Sequence, residues 1–154
     1  MKQVTLYFLI RDNKICLAEK KRGFGIGKLN GAGGKVEPNE SIEMAALREL
    51  REEIGVRSTV ADIEPIGDLK FYFDDKPDWN QQMHIFFVKN WQGEPQESEE
   101  MRPSWHEINN LPFDNMWLDD RHWLPKALAG QKINGEFYFN SEGNKIEKFN
   151  LLES

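Results

Sequence analysis

The sequence predicts an α/β fold, and two kinds of pattern support this prediction. Several short segments alternate between apolar and polar residues, or are apolar on both faces, as β-strands are. A longer segment, residues 42–54, repeats apolar residues at the spacing of an amphipathic helix. Because the candidate strands mostly follow one another without an intervening helix, a doubly wound nucleotide-binding fold is not predicted.

Length and composition predict a single domain over residues 1–154. A chain of 154 residues, 39% of them hydrophobic, is large enough to bury a substantial core. The single cysteine, Cys16, excludes an internal disulfide bond, and its apolar neighbours predict a buried thiol. The sequence has neither a signal-peptide pattern nor an apolar run of membrane-spanning length, so we expect a cytoplasmic protein that binds no membrane.

The first predicted strands precede a glycine-rich loop. Residues 3–11 are apolar on both faces, which predicts a central strand. A turn at Asp12 and Asn13 leads to a second strand over residues 14–19, which we expect to pair with the first as a hairpin. Residues 20–34 contain six of the twelve glycines and are predicted to form a loop whose backbone can approach a ligand closely.

Strands also dominate the rest of the chain. Four are predicted in the middle, over residues 58–63, 66–73, 82–89 and 101–107. A helix is predicted over residues 119–129, ending at Gly130, and Pro125 inside it predicts a kink or a later start. A C-terminal hairpin is predicted from residues 133–139 and 146–151.

The helix within residues 34–56 has signals at both ends. Its buried face is predicted from five apolar residues at helical spacing, Ile42, Ala45, Ala46, Leu50 and Ile54. Ser41 is the first candidate for the N-cap, with Asn39 and Glu40 as alternatives. Gly55 lies where a left-handed residue is expected to end the helix.

Three carboxylates on this helix predict a metal site. Glu49, Glu52 and Glu53 lie within one turn, where like charges repel and oppose the helix dipole. A hard divalent cation such as Mg2+ would remove this conflict and would also bind substrate phosphates. Arg48 points about 100° away from Glu49 and is predicted to hold a glutamate in position. A solvated acidic face is the alternative interpretation.

The charge distribution favours a small phosphorylated ligand. The net charge of −6 argues against broad nucleic-acid binding. However, residues 20–35 contain five basic side chains and no acidic one. This local basic segment permits a small ligand that carries phosphate.

A pair of aspartates marks a second candidate site. Asp119 and Asp120 are acceptable as first-turn residues of a helix, so a purely structural role is one interpretation. Trp117 and Trp123 flank the pair, and an indole beside paired carboxylates would stack on a base while the acids bind its edge. Two adjacent carboxylates in a partly apolar site push one pKa upward, and a protonated aspartic acid can donate as well as accept.

Residues 34–56 resemble a known family pattern. They match the Nudix box, G-x5-E-x7-R-E-U-x-E-E-x-G-U with U aliphatic, at every fixed position. Residues 20–43, residues 97–125 and the terminal hairpin also resemble the MutT-type oxidised-purine nucleoside triphosphate diphosphatases of that family. The resemblance runs from about Thr5 to the C-terminus and is weakest between Ser58 and Gln82. It implies the Nudix fold, a mixed β-sheet sandwiched between helices.

The resemblance implies roles for individual residues. Metal binding and water activation would belong to Glu49, Glu52 and Glu53, with the Gly33 carbonyl and Glu100 completing the metal site. Arg48 belongs to the same catalytic set, and Mg2+ is the expected cofactor, with Mn2+ as a possible substitute. Base recognition would involve Asn30, Trp117, Asp119 and Asp120. Other pocket or phosphate contacts would come from Thr5, Lys20, Phe24, Gly33, Gly34, Lys35, Phe71 and Phe73.

The implied activity is Mg2+-dependent hydrolysis of purine nucleoside triphosphates to the monophosphate and pyrophosphate. Oxidised substrates such as 8-oxo-dGTP and 2-hydroxy-dATP are expected, which would sanitise the nucleotide pool. Glu53 or Glu49 would act as the base. We expect a monomer that acts on small molecules and binds no nucleic acid.

The sequence departs from the family pattern where base preference would be decided. Gln81 and Gln82 align with a pocket methionine and an aspartate, Ala32 with a phenylalanine, and Leu118 with a proline. Two alternatives therefore stay open. One is hydrolysis of another nucleoside diphosphate derivative, such as a methylated purine triphosphate or a nucleotide sugar. The other is a non-catalytic nucleotide-binding module.

Overall fold

The computed structural model describes residues 1–23 and 25–152. Within these residues the chain forms one mixed β-sheet and two α-helices. The strands are β1 Lys2–Arg11, β2 Lys14–Lys20, β3 Leu29–Asn30, β4 Ala32–Lys35, β5 Ile63–Phe73, β6 Gln81–Val88, β7 Met101–Glu107, β8 Ile133–Phe139 and β9 Ile146–Leu152. The helices are α1 Ile42–Ile54 and α2 Asp120–Leu128.

β1 is the central strand, as predicted. The sheet runs in the order β3-β2-β1-β6-β5-β8-β9, with β4 paired to β1 and β7 paired to β2. The β1–β6 and β5–β8 pairs are parallel and the other pairs are antiparallel. The predicted β1–β2 and β8–β9 hairpins are both confirmed.

Two apolar cores lie on opposite faces of this sheet. Leu6 and Phe8 of β1 point to the face covered by α2, where Trp123 is fully buried. Tyr7 and Leu9 point to the face covered by α1, where Leu50 is fully buried. Successive side chains of a strand point to opposite faces, so β1 contributes to both cores. The sheet is therefore sandwiched between helices, as the resemblance implied.

The predicted ends of α1 are confirmed. The Ser41 hydroxyl accepts a hydrogen bond from the Met44 N–H at 3.2 Å, so Ser41 is the N-cap. Gly55 ends the helix in the left-handed conformation, with φ of 72°. Of the two N-cap alternatives, Glu40 instead binds Arg48 and Asn39 lies outside the helix in a turn.

One loop prediction and one strand prediction were wrong. The predicted loop 20–34 contains β3 and most of β4, because its glycines allow β4 to lie against β1. A Cβ atom on Gly33 would lie 1.9 Å from the Thr5 carbonyl oxygen, so only glycine fits this pairing. The predicted strand 58–63 is a 3-10 turn over residues 60–62, and β5 begins only at Ile63. The Thr59 hydroxyl donates to Asp62 at 3.0 Å, which favours the turn.

The second helix also differs from its prediction. α2 begins at Asp120, so the later start that Pro125 suggested is wrong, and the helix continues through this proline to Leu128. Gly130, with φ of 98°, follows the helix as expected.

Cys16 is buried, and burial raises the pKa of its thiol to about 11. Within residues 1–23 and 25–152, no helix combines the length and apolarity needed to cross a membrane.

Candidate active site

Arg48 organises the carboxylates of α1. Its Nη1 donates to Glu49 Oε1 at 2.7 Å and to Glu52 Oε2 at 3.1 Å, and its Nε donates to Glu40 Oε2 at 2.8 Å. Glu49 itself lies against Gly34, where a Cβ atom would come within 2.6 Å of the Glu49 carboxyl carbon. A glycine at this position therefore lets α1 bring its carboxylate up to β4.

Glu53 occupies a different environment, deeper between α1 and the sheet. Its Oε1 accepts hydrogen bonds from the Tyr7 hydroxyl at 3.1 Å and from the Gly33 N–H at 2.8 Å. Burial raises the pKa of Glu53 to about 7, and the nearby charge of Glu49 adds to this effect. Burial also raises the pKa of Glu49, which Arg48 partly opposes. The sequence analysis missed Tyr7, although a tyrosine on an otherwise apolar strand face is a signal for a buried hydroxyl.

Glu100 lies near this cluster but binds an arginine. The Arg22 guanidinium donates to Glu100 Oε1 through both Nε, at 3.0 Å, and Nη2. The charge of Glu100 contributes to the raised pKa of Glu53, so the two carboxylates interact electrostatically. Glu100 is 46% exposed at its side chain, so its ion pair with Arg22 is accessible to solvent.

The carboxylates fit a hard divalent cation by their chemistry. In the described part of the chain, no three His, Cys, Asp or Glu side chains already converge on one metal-binding position. Instead Arg48, Arg22 and Tyr7 bind the oxygens of the carboxylates. Burial raises the pKa of Glu53, and the charges of Glu49 and Glu100 raise it further, so negative charge is crowded at this point. A cation with oxygen ligands, such as Mg2+, would compensate it.

A cavity of about 290 Å3 lies beside the carboxylate cluster. It brings together eight of the predicted site residues: Thr5, Lys20, Asn30, Gly33, Phe71, Phe73, Trp117 and Asp119. Gly33 links the two parts of the site, because it lines the cavity while its N–H binds Glu53. The cavity therefore opens beside a carboxylate that can accept a proton.

The remaining predicted residues lie elsewhere. Lys35 is exposed and does not line the cavity, although its carbonyl accepts a hydrogen bond from Arg48 Nη2 at 3.1 Å. Gly34 contacts Glu49 rather than the cavity. Asp120 lies behind Asp119, fully enclosed by the protein. The prediction for Phe24 falls outside the described residues.

The two aspartates are buried side by side, and their hydrogen-bonding surroundings differ. Asp119 Oδ2 accepts a hydrogen bond from Trp123 Nε1 at 2.8 Å, whereas neither oxygen of Asp120 meets a donor within the described residues. Burial raises the pKa of both groups, and for Asp120 the charge of Asp119 raises it further. Asp119 occupies the N-cap position of α2, but its side chain makes no capping hydrogen bond. The pair therefore does not serve as a helix cap.

Aromatic rings and one glutamine shape the rest of the cavity. Phe73 stacks on Phe139, with ring centroids 5.0 Å apart, along one wall. Gln81 lines the cavity, whereas Gln82 points to the other face of the sheet and donates to Asp68 Oδ2 at 2.6 Å. Of these two departures from the family pattern, only Gln81 is therefore placed to contact a ligand. Ala32 is buried in the core beside α1, away from the cavity.

A helix with clustered carboxylates beside a cavity with basic, aromatic and acidic lining residues suits the hydrolysis of a phosphate anhydride. The family model described as the NUDIX domain matches residues 1–127. The chain belongs to the Nudix family. The match includes α1, the glycine-rich segment and the aspartate pair.

Two relatives are similar over nearly the whole chain. An oxidized purine nucleoside triphosphate hydrolase of Danio rerio is 44% identical over 145 residues, which cover 94% of this chain and 90% of the relative. A protein of the same description from Mus musculus is 41% identical over 149 residues, covering 97% and 93%. A MutT protein structure from Bacillus halodurans, 23% identical, shares the fold with a TM-score of 0.83 over 98% of this chain and 97% of that one.

Proposed function

We propose that the protein hydrolyses purine nucleoside triphosphates to the monophosphate and pyrophosphate, with oxidised purines such as 8-oxo-dGTP and 2-hydroxy-dATP as preferred substrates. The observation that carries this proposal is the buried Asp119–Asp120 pair at a cavity that reaches the α1 carboxylates through Gly33. The two relatives described as oxidized purine nucleoside triphosphate hydrolases support it. Removing such substrates would keep damaged bases out of DNA.

The acidic cluster would hold the metal. Glu49, Glu52 and Glu53 would bind Mg2+, or Mn2+ in its place, together with the Gly33 carbonyl and Glu100. When bound, the cation neutralises phosphate charge and lowers the pKa of coordinated water. Arg22 binds Glu100 through Oε1, so Oε2 would be the oxygen that joins the metal.

Glu53 would accept the proton of the attacking water. Its pKa of about 7 provides a carboxylate that is both ionised and basic near neutral pH. Glu49 is the weaker candidate, because Arg48 binds its Oε1 at 2.7 Å. Water would attack an inner phosphorus, Glu53 would take its proton, and the products would be the monophosphate and pyrophosphate.

The cavity would bind the base. Trp117 and the phenylalanine wall offer surfaces for stacking, and Asn30 and Asp119 offer polar atoms for the base edge. Burial raises the pKa of Asp119, and a protonated aspartic acid would supply a donor and an acceptor together. An oxidised purine presents both kinds of group on its edge. This complementarity supports recognition of the base rather than of a sugar.

A substrate panel with pyrophosphate detection tests the proposal. The panel contains 8-oxo-dGTP, 2-hydroxy-dATP, O6-methyl-dGTP, dGTP and ADP-ribose, each with and without Mg2+. We expect Mg2+-dependent turnover that is fastest with the oxidised purines.

Glu53→Gln should fold normally and lose about 100-fold or more in kcat, because it removes the proton acceptor. Wild-type rates in this variant would contradict the mechanism.

Gln81 supports a second candidate substrate. Its amide adds a donor and an acceptor to a wall that is otherwise aromatic and aliphatic. A methylated purine triphosphate, with a different polar edge, is therefore a runner-up, and a higher kcat/KM for O6-methyl-dGTP than for 8-oxo-dGTP would favour it. A non-catalytic module is disfavoured, because the sequence keeps every carboxylate of the Nudix box.

We expect the protein to act as a monomer in the cytoplasm, on a free nucleotide and not on nucleic acid. The net charge of −6 opposes association with nucleic acid, whereas the basic residues 20–35 suit a single triphosphate. Lys20 and Lys28 line the cavity, which supports a role for this segment in holding a free nucleotide.

A further inference from the structure

Tyr7 brings a buried hydroxyl to the catalytic carboxylate. Its side chain is 1% exposed and lies in the apolar core between the sheet and α1. A buried phenol needs a hydrogen-bond partner, and here the partner is Glu53 Oε1 at 3.1 Å. The two residues are 46 positions apart, so the sheet and the helix must both be in place to form the contact.

A second donor binds the same oxygen from the neighbouring strand. β1 and β4 pair so that Tyr7 lies opposite Ala32 and Leu6 lies opposite Gly33. The Gly33 N–H reaches Glu53 Oε1 at 2.8 Å. Both donors therefore belong to the paired strands and have fixed positions. Glu53 Oε2 accepts no hydrogen bond from the residues that the structure describes.

This arrangement places the two oxygens of the Glu53 carboxylate in different surroundings. A glutamate side chain has several rotatable bonds and loses conformational freedom only when contacts select one rotamer. One donor would leave the carboxylate able to rotate about a single hydrogen bond. Two donors on Oε1 fix the plane of the Glu53 carboxylate and leave Oε2 as the oxygen for metal and water. Catalytic groups need such support to keep a productive geometry.

We infer that Tyr7 is a positioning residue for Glu53, whose hydroxyl fixes the carboxylate so that Oε2 serves the reaction. This inference rests on the proposed function, in which Glu53 accepts a proton. Tyr7 contacts the catalytic group and not the substrate, so its loss should affect turnover more than nucleotide binding.

Tyr7→Phe tests the inference, because it removes one oxygen atom and keeps the buried ring. The chain offers a matched control in Tyr138→Phe. The Tyr138 hydroxyl also donates to a glutamate, Glu136 Oε2 at 2.7 Å, but on β8 and outside the cavity. The measurements are kcat and KM for 8-oxo-dGTP at saturating Mg2+, Mn2+ affinity of the nucleotide-free protein by calorimetry, and urea unfolding.

Tyr7→Phe should lower kcat and weaken Mn2+ binding by about tenfold each, at the lower end of the range found for groups that support metal ligands. KM should stay unchanged. Tyr138→Phe should leave kcat, KM and Mn2+ affinity at wild-type values. If Tyr7→Phe changes only the unfolding midpoint and keeps wild-type kcat and Mn2+ affinity, Tyr7 is a structural residue and the inference is overturned.

A double-mutant cycle separates action through Glu53 from a general effect. Tyr7→Phe should cause no further loss of kcat in a Glu53→Gln background, because the group that it positions is already disabled. Equal losses in both backgrounds would overturn the inference. A wild-type protein without Mg2+-dependent pyrophosphate release would instead overturn the proposed function, so the two failures are distinguishable.

Discussion

Asp120 is held in a position that costs stability. Both of its oxygens are buried without a hydrogen-bond donor among the described residues, and the Asp119 carboxylate lies beside it. Burial and this charge raise the pKa of Asp120 well above its ordinary range. Residues that violate local rules in this way often serve function. Here the cost favours the protonated form of Asp120 next to Asp119, which lines the cavity.

The pH dependence of stability should report this cost. In the unfolded chain Asp120 ionises at about pH 4, whereas the folded protein keeps the proton to higher pH. Its contribution to the unfolding free energy is fully present below about pH 4 and is lost as the pH rises through the folded-state pKa. Asp120→Asn should therefore be more stable than wild type at neutral pH, by about 1–3 kcal/mol.

Urea unfolding of both proteins from pH 4 to pH 8 measures this difference. The stability difference should shrink toward zero at the acidic end. KM for the purine triphosphate should rise at neutral pH, because Asp119 loses the carboxyl group beside it. Asp78→Asn provides a control that removes an exposed carboxylate, in the turn Pro77–Trp79. A stability difference independent of pH would contradict the raised pKa.

At the scale of elements, α1 combines a catalytic cluster with strong end signals. Its acidic residues crowd the C-terminal turns, where they oppose the helix dipole. The Ser41 cap, the left-handed Gly55 and the buried face of the helix stabilise it against this effect. Arg48 adds ion pairs to Glu40 and Glu49, both largely shielded from solvent. The element therefore tolerates carboxylates that an isolated helix would not.

Replacing Ser41 tests the contribution of the N-cap. Ser41→Ala removes the acceptor for the Met44 N–H and should lower the unfolding free energy by about 1 kcal/mol. Ser41→Asp keeps an acceptor at this position and should retain the stability. Urea unfolding compares the three proteins. Equal stability of the Ala and Asp variants would show that the hydrogen bond contributes nothing.

For the whole molecule, one sheet joins two cores. Because β1 sends alternate side chains into both, neither core is independent of the other. Leu50 is fully buried beside α1 and Leu124 is fully buried in the core beside α2. The single domain over residues 1–154 remains a prediction, and this shared strand is the physical reason to expect it.

Cavity-forming substitutions in each core test that prediction. Leu50→Ala and Leu124→Ala should each lower the unfolding free energy by about 2–5 kcal/mol. Each protein should unfold in one transition, with circular dichroism and tryptophan fluorescence coincident. Met44→Ala, at a side chain 53% exposed on the same helix as Leu50, should change stability little. Separate transitions for the two cores would contradict a single cooperative domain.

The local pattern of residues was enough to predict several elements and candidate site residues of this protein. The spacing of Glu49, Glu52 and Glu53, the caps of α1 and the central strand β1 all depend on neighbours within a few residues. Their geometry follows from helical and strand periodicity, which sequence displays directly. The aspartate pair was also visible in the sequence, because Trp117 and Trp123 flank it.

The tertiary structure decided which groups meet across the fold. Tyr7 and Gly33 reach Glu53 only through the pairing of β1 with β4 and the packing of α1 on both. Strand register sends Gln81 into the cavity and Gln82 to the opposite face, since adjacent residues of a strand point in opposite directions. Burial, which raises the pKa of Glu53 and of the aspartates, depends on residues distant along the chain. The sequence by itself determined the type of chemistry. Only the folded arrangement decided which hydrogen-bond donors surround each acid and how deeply each acid is buried.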